Sequence, residues 1–252
     1  MSEMNAQTVA EITEKLRVAS ENTTRMYDVG FEAGRVLGDD VFWDSIQAYG
    51  NRTNYERGFA NTKWDKPFNP KYSFKNATKA QYMFSSVKAG DNMYTDKLDF
   101  SKCASMVAVF LDSDVTRLKV IDMRSCLASY NGMASSFYGC THLREITEFY
   151  PSVNTIFSAT FSSCTALETI NFCSEIAVNG LDLKASKILS KDSIKSIMGA
   201  LSSSTSGLTV TLSKEAVNKA FETSEGANDG ENSTAWADDI IDAHSNWNIV
   251  LA

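Results

Sequence analysis

The sequence predicts an α+β chain: a short repeat solenoid, preceded by an N-terminal coiled-coil helix and closed by an α/β C-terminal cap. Three observations predict it. Apolar or small residues recur in alternating steps of three and four from Val9 to Gly30. A ten-residue frame that begins at Phe137 returns 24 residues later at Phe161. Beyond residue 180, helix-spaced and strand-alternating apolar patterns take turns. The divisions that result are 1–38, an oligomerisation helix; 39–95, an aromatic-rich adapter; 96–180, the repeats; and 181–252, the cap.

The N-terminal helix rests on Val9, Ile12, Leu16, Ala19, Thr23, Met26 and Gly30, which follow an a/d pattern for three heptads. The residues between them are mostly polar, and proline is absent. A stripe this narrow suits a seam between identical chains, with Val9, Ile12, Leu16, Ala19, Thr23 and Met26 as the oligomer interface. The other arrangement it permits is an amphipathic helix lying on its own domain. The seam lacks the dimer signature of β-branched a with Leu at d, so a trimer is the preferred state.

Residues 39–95 are aromatic and irregular. Eleven aromatics fall between Phe42 and Phe84, a far higher density than the 11% of the whole chain. Rings bury large areas, so a segment with little regular structure can fold by packing them. Stacking on sugar rings is the alternative use of such a cluster.

The repeats rest on Phe137-Tyr-Gly-Cys140-Thr-His-Leu143-Arg-Glu-Ile146 and Phe161-Ser-Ser-Cys164-Thr-Ala-Leu167-Glu-Thr-Ile170. A weaker copy, Leu118-Lys-Val-Ile121, precedes Leu143 by 25 residues, and another copy can start at Phe84. Periods of about 20–29 residues with this Leu-x-x-Ile spacing are those of leucine-rich repeats. Stacked units place matched side chains in columns. The expected repeat core is therefore Leu118, Ile121, Phe137, Cys140, Leu143, Ile146, Phe161, Cys164, Leu167 and Ile170.

In the cap, Ser190 can start a helix whose face is Ile194, Ile197, Met198 and Leu201. Leu208-Thr-Val210-Thr-Leu212 alternates as a half-buried strand should. Ser213 can cap a second helix to Phe221, and Trp247 to Leu251 reads as a last strand.

Composition narrows function. Apolar residues make up 43% and charged residues 22%, as in ordinary globular chains. Lys and Arg total 24 against 31 Asp and Glu, a net charge of −7. That argues against non-specific binding to nucleic acid or anionic lipid. No apolar run is long enough for a membrane span. Met1 to Arg17 is acidic and polar, so no export signal is expected, and the Asn-x-Ser/Thr matches at Asn22, Asn51, Asn76 and Asn232 are read as chance. Five cysteines, an odd number with no Cys-x-x-Cys pair, read as reduced apolar residues.

No catalytic or cofactor motif is found, and neither an enzyme nor a cofactor is expected. Asp112-Ser-Asp114 and Asn228-Asp-Gly-Glu-Asn232 lack the spacing of a full calcium loop and read as solvated loops. His142 stands at a variable repeat position, where the next copy has Ala166, and reads as a surface residue. His244 reads as the cationic end of a helix. A two-carboxylate glycan hydrolase is the enzymatic alternative; Asp44, Glu56 and Asp65 lie among the aromatics, but linear spacing does not place them across a cleft.

The Phe-x-x-Cys-x-x-Leu-x-x-Ile frame resembles the BspA-like class of bacterial leucine-rich repeats, over about residues 80–180. Upstream, Phe42-Trp43-Asp44, Tyr49-Gly50-Asn51-Arg52-Thr53-Asn54-Tyr55, Phe59-Ala60, Trp64 and Phe68-Asn69-Pro70-Lys71-Tyr72 are similar to a segment that precedes such repeats in phage and prophage tail or virion-surface proteins. The resemblance implies a virion structural or adhesive protein (a tail fibre, baseplate or capsid-surface component) made in the host cytoplasm. Its implied partners are copies of itself, other virion proteins and a host surface ligand. The alternative is a bacterial repeat protein that binds a cell-surface or wall ligand, which would require export.

Overall fold

The computed structural model describes residues 53–64, 74–94, 98–221 and 242–252. Its strands are β1 (Lys88–Gly90), β2 (Asp114–Val115), β3 (Arg117–Asp122), β4 (Glu145–Tyr150), β5 (Thr169–Phe172), β6 (Leu181–Leu183), β7 (Leu208–Leu212) and β8 (Trp247–Leu251). Its α-helices are α1 (Lys191–Ala200) and α2 (Lys214–Phe221). The strands form three separate sheets in the orders β1-β2, β3-β4-β5 and β6-β7-β8, and every pairing is parallel.

This corrects the expected fold class. A single closed solenoid does not form among the described residues: the strands divide into small parallel sheets, with two short α-helices. The reason is visible at β5. Its outer edge is met by side chains of α1, not by another strand. The N–H groups of Ile170 and Phe172 donate to Ser193 Oγ (3.0 Å) and Ser196 Oγ (2.8 Å). These serines are one helical turn apart on the same face. Hydroxyls take the place of strand carbonyls, so the ladder stops. The expected cap is likewise a unit with its own three-stranded sheet. The expected coiled-coil helix lies outside the described residues.

Successive turns upstream of the strands are stacked tier on tier. Tyr55, Arg57, Phe59 and Asn61 donate backbone hydrogen bonds to Lys79, Gln81, Met83 and Ser85. Ala80, Tyr82, Phe84 and Ser86 donate to Ser105, Val107, Val109 and Leu111. Met106, Ala108, Phe110 and Asp112 donate to Gly132, Ala134, Ser136 and Tyr138. Ser135, Phe137 and Gly139 donate to Ser158, Thr160 and Ser162. All these bonds measure 2.7–2.9 Å. Intervening N–H groups close local turns, such as Ala60 to Arg57 and Leu111 to Ala108. Half the donors thus point along the stack and half stay within a tier, which satisfies the buried backbone without long strands. Left-handed residues make this alternation possible. They come in pairs four apart: Arg57 and Asn61, Tyr82 and Ser86, Ala108 and Asp112, Ser135 and Gly139, Ala159 and Ser163, with φ between 50° and 73°. Gly139 is the one glycine among them, and a Cβ there would lie 2.0 Å from Asp112 Oδ1.

Inside the turns runs a ladder of phenyl rings: Phe59, Phe84, Phe110, Phe137 and Phe161. Neighbouring rings stack with centroids 5.3–5.5 Å apart and planes within 15°. Three residues after each ring stands a small or hydroxyl-sized side chain: Thr62, Val87, Ser113, Cys140 and Cys164. Ser113, Cys140 and Cys164 each donate to the carbonyl of the preceding tier's ring residue, at 2.9 Å for Cys140 to Phe110 and 3.1 Å for Cys164 to Phe137.

All ten expected repeat-core residues are buried in one hydrophobic cluster. Their alignment, however, differs from the expected one in the third copy. Leu118 pairs with Ile146, not Leu143, and Ile121 pairs with Phe149. The position of Leu143 and Leu167 is filled there by Val115. Arg144 N donates to Thr116 O at 2.8 Å, and Glu168 N to Arg144 O at 3.0 Å, so 116, 144 and 168 occupy one level. Apolar residues at two positions three apart made either register plausible.

In the C-terminal unit, Ser190 Oγ accepts from Ser193 N and caps α1, whose Ile194, Ile197 and Met198 are buried. Ser213 Oγ accepts from Ala216 N at the start of α2. Strands β6, β7 and β8 pair without a register break.

Candidate functional site: the outward strand face and the groove beside β5

Strands β3 and β4 share one burial pattern: the second and fifth residues point inward and the others are partly exposed. Leu118, Ile121, Ile146 and Phe149 therefore anchor the sheet from below. The outward residues include Arg117, Asp122, Glu145, Thr147, Glu148 and Tyr150, and they fasten to one another. Arg117 and Glu145 are register partners, and Arg117 Nε lies 2.8 Å from Glu145 Oε2. The Arg117 guanidinium also sits 4.1 Å from the Tyr94 ring centroid. At the other end of β3, Arg124 grips both oxygens of Asp122 at 3.0 and 2.6 Å and lies 4.7 Å from the Tyr150 ring centroid. Tyr150 OH donates to Glu148 at 2.9 Å. The face thus carries two clusters of the same make: an arginine, a carboxylate and a tyrosine.

The charges are held ionised. Burial pushes Glu145 up, but hydrogen bonds from Thr147 and Arg117 outweigh it and hold the carboxyl below its ordinary range. Burial likewise raises Asp122, and the Arg124 hydrogen bonds reverse the sign. The hydrogen bond to Glu148 raises the Tyr150 phenol.

The face runs on to β5 and ends in an open groove of 690 Å³ between the end of β5 and α1. Asn171, Cys173, Ser174, Glu175, Asp192 and Lys195 line it, with Gly199 on the helix side. Ser196 Oγ donates to Asn171 Oδ1 at 2.8 Å and fixes one wall. The Ser174 hydroxyl oxygen is buried and has no hydrogen-bond partner.

The other candidates separate from this face. Tyr55, Phe59, Trp64, Phe74 and Phe84 are buried and contact one another as edge-on or stacked rings, so they serve packing, not ligand stacking. Ser113 of the Asp112–Asp114 motif turns inward to Phe84 O, and no group of three or more metal-binding side chains occurs among the described residues. His142 is a surface residue, 3.4 Å from Asp114. His244 closes the turn before β8, its carbonyl accepting from Trp247 N. Glu56 is exposed; Asp44, Asp65 and Asn228–Asn232 lie outside the described residues, as do Val9, Ile12, Leu16, Ala19, Thr23 and Met26.

All five cysteines are free. Burial raises the thiols of Cys103, to about 11, and Cys164, to about 12, and raises Cys126 and Cys140 too. None of these four is a nucleophile, since the thiolate is the reactive form. Cys173 alone is exposed, on the groove. No helix among the described residues is long and apolar enough to cross a membrane.

Sequence reasoning found the core and missed the face. The signal was present: Arg117, Asp122, Glu145 and Glu148 alternate with apolar residues along two short segments. It carries meaning only once the strands are laid side by side. No family model, curated protein or solved structure matches this chain.

Proposed function

We propose that this chain is a structural or adhesive phage virion protein, a tail-fibre, baseplate or capsid-surface component that works by binding and not by catalysis. The observation that carries the reading is the outward face of β3 and β4. Its arginines, carboxylates and tyrosines lock one another in place above a core of stacked rings. Side chains already fixed lose little conformational entropy on meeting a partner, which is what a recognition surface needs. The resemblance of the Phe-x-x-Cys repeats, and of the aromatic segment before them, to phage surface proteins supports the virion setting.

The chain forms a homo-oligomer through residues 1–38, with a trimer preferred. Light scattering of the purified chain should give three times the monomer mass, and a monomeric mass overturns that part. Mass spectrometry of purified particles from an induced lysogen tests the setting. The chain should be recovered with the particles, and Fab fragments against the β3–β4 face should block adsorption. Absence of the chain from washed particles overturns the virion reading.

A further inference from the structure

We propose that the corner formed by the loops after β3 and β4 is a contact surface between copies of this chain, centred on Leu127, Tyr130, Val153 and Ile156. This rests on the homo-oligomer reading and says where the folded bodies meet.

The corner is an apolar patch that two neighbouring tiers build together. Seven large apolar side chains are exposed among the described residues, and these four, 42–52% exposed, belong to two adjoining loops. The loops are fastened directly to each other. Met123 N donates to Tyr150 O, and Ser152 Oγ to Cys126 O, both at 2.8 Å. Leu127 and Val153 each follow one member of that second pair, and Tyr130 and Ile156 each stand three residues further on. Apolar side chains exposed singly are ordinary, whereas four gathered on one corner mark an interface.

The same corner lacks charge. Residues 125–143 and 149–167 contain no Asp, Glu, Lys or Arg, in a chain with 22% charged residues. The stacked loops on either side do carry charge at exposed positions: Lys75, Lys79 and Lys102 before, Glu175 after. Arg124 stands at the rim, with its charge engaged by Asp122. An apolar centre without charge and a polar rim is the make-up of a protein–protein contact.

The absence of charge also selects the occupant. An anionic partner would find no cation on the corner, and a cationic partner no carboxylate. A saccharide would meet aliphatic side chains that form no hydrogen bond. Copies of a chain with net charge −7 repel one another, so they meet most favourably where neither surface brings a charge. The N-terminal seam needs such help, because Ala19, Thr23 and Gly30 supply little apolar area to its lower half. In a trimer the three corners converge on the axis and supply the missing burial.

The test uses the purified full chain. Val153→Glu and Ile156→Glu together place like charges on every copy, and sedimentation should show dissociation at concentrations about a hundredfold higher than for the parent. Circular dichroism should match the parent, since both side chains are exposed in the single chain. Ile188→Glu, equally exposed but carried by the segment that bonds to Cys164 O through Ser186, should leave the mass unchanged. A conservative pair checks the same surface. On a Cys173→Ser background, which removes the one exposed thiol, Ile156→Cys should react with maleimide several times more slowly than Ile188→Cys in the oligomer. An oligomer that survives the double glutamate variant overturns the proposal, as does equal labelling at the two cysteines. The two contacts fail separately. A mass that falls with Ile12→Asp and Leu16→Asp, and not with the corner variants, keeps the coiled coil and refutes the corner. The reverse pattern keeps the corner and refutes the coil, and a parent monomeric at every concentration refutes the homo-oligomer itself.

Discussion

The β3-β4-β5 and β6-β7-β8 sheets are both parallel and three-stranded, yet the chain returns between their strands in different ways. In the first, the return path is a turn whose N–H groups reach the next tier, with a phenyl ring beneath it. In the second, α1 and α2 lie on the return paths and satisfy their own backbone internally. The lesson is that a parallel strand needs only a return path with no orphaned backbone. A turn ladder supplies one by coupling each tier to its neighbours. A helix supplies one by closing on itself, which leaves its outer side free to form a groove.

The contrast can be broken most directly at the ring ladder. Phe110→Ala removes a ring stacked on both sides and should destabilise by about 3–5 kcal/mol. Leu167→Ala, with no ring in the ladder, should lose about 2–5 kcal/mol. Urea unfolding measures both. A Phe110→Ala loss below 1 kcal/mol would show that the tiers are not coupled through their rings.

The buried thiols give a second difference, since all four belong to the stack. Their folded pKa values are raised, so folding holds protons that the unfolded chain releases above its ordinary value near 9. The stability they contribute is complete below pH 9 and falls as pH climbs towards about 11 for Cys103 and about 12 for Cys164. For Cys103 alone the two-unit difference corresponds to roughly 3 kcal/mol. Unfolding midpoints between pH 8 and 11 should fall, and Cys103→Ala should flatten the curve. A parent curve as flat as the variant's would sink the assignment.

At the junction of the two regions, Ser193→Ala leaves the Ile170 N–H without its acceptor. About 1–3 kcal/mol should be lost, the cost of an unsatisfied buried donor. The smallest effects form a matched pair. Ala159 is exposed and left-handed, with φ of 51°, so Ala159→Gly should stabilise by about 1 kcal/mol. Gly199→Ala should also stabilise by about 1 kcal/mol, through helix propensity. Opposite substitutions with the same sign, read from two melting curves, would sharpen the distinction between turn and helix.

Legibility in the sequence followed the same division. Ser190, Ser213 and the alternation at Leu208–Leu212 located α1, α2 and β7, because caps and periodicity are local signals. In the stack, Phe137 and Phe161 were recognisable because both are followed by Cys-Thr. Phe59, Phe84 and Phe110 hold the same place in the ladder but carry Thr62, Val87 and Ser113 instead, and their tier lengths vary from 25 to 27 residues. A column needs only a small side chain that fits, so the letters drift while the geometry stays. The end of the first sheet at β5 was not legible, because Ser193 and Ser196 read as ordinary helix-surface residues until a strand edge lies against them. The groove is equally a product of two elements meeting, and neither Ser174 nor Gly199 belongs to a motif.

The turn ladder also gives the molecule a mechanical direction. Its hydrogen bonds run from tier to tier, so tension along the stack loads the gaps in series and the bonds of each gap in parallel. The first three gaps are bridged by four turn bonds each, and the last, from Ser135–Gly139 to Ser158–Ser162, by three. The last two gaps are also held by the β3–β4 and β4–β5 ladders, so under a pull along the stack the earlier gaps part first, while sideways shear meets every tier at once.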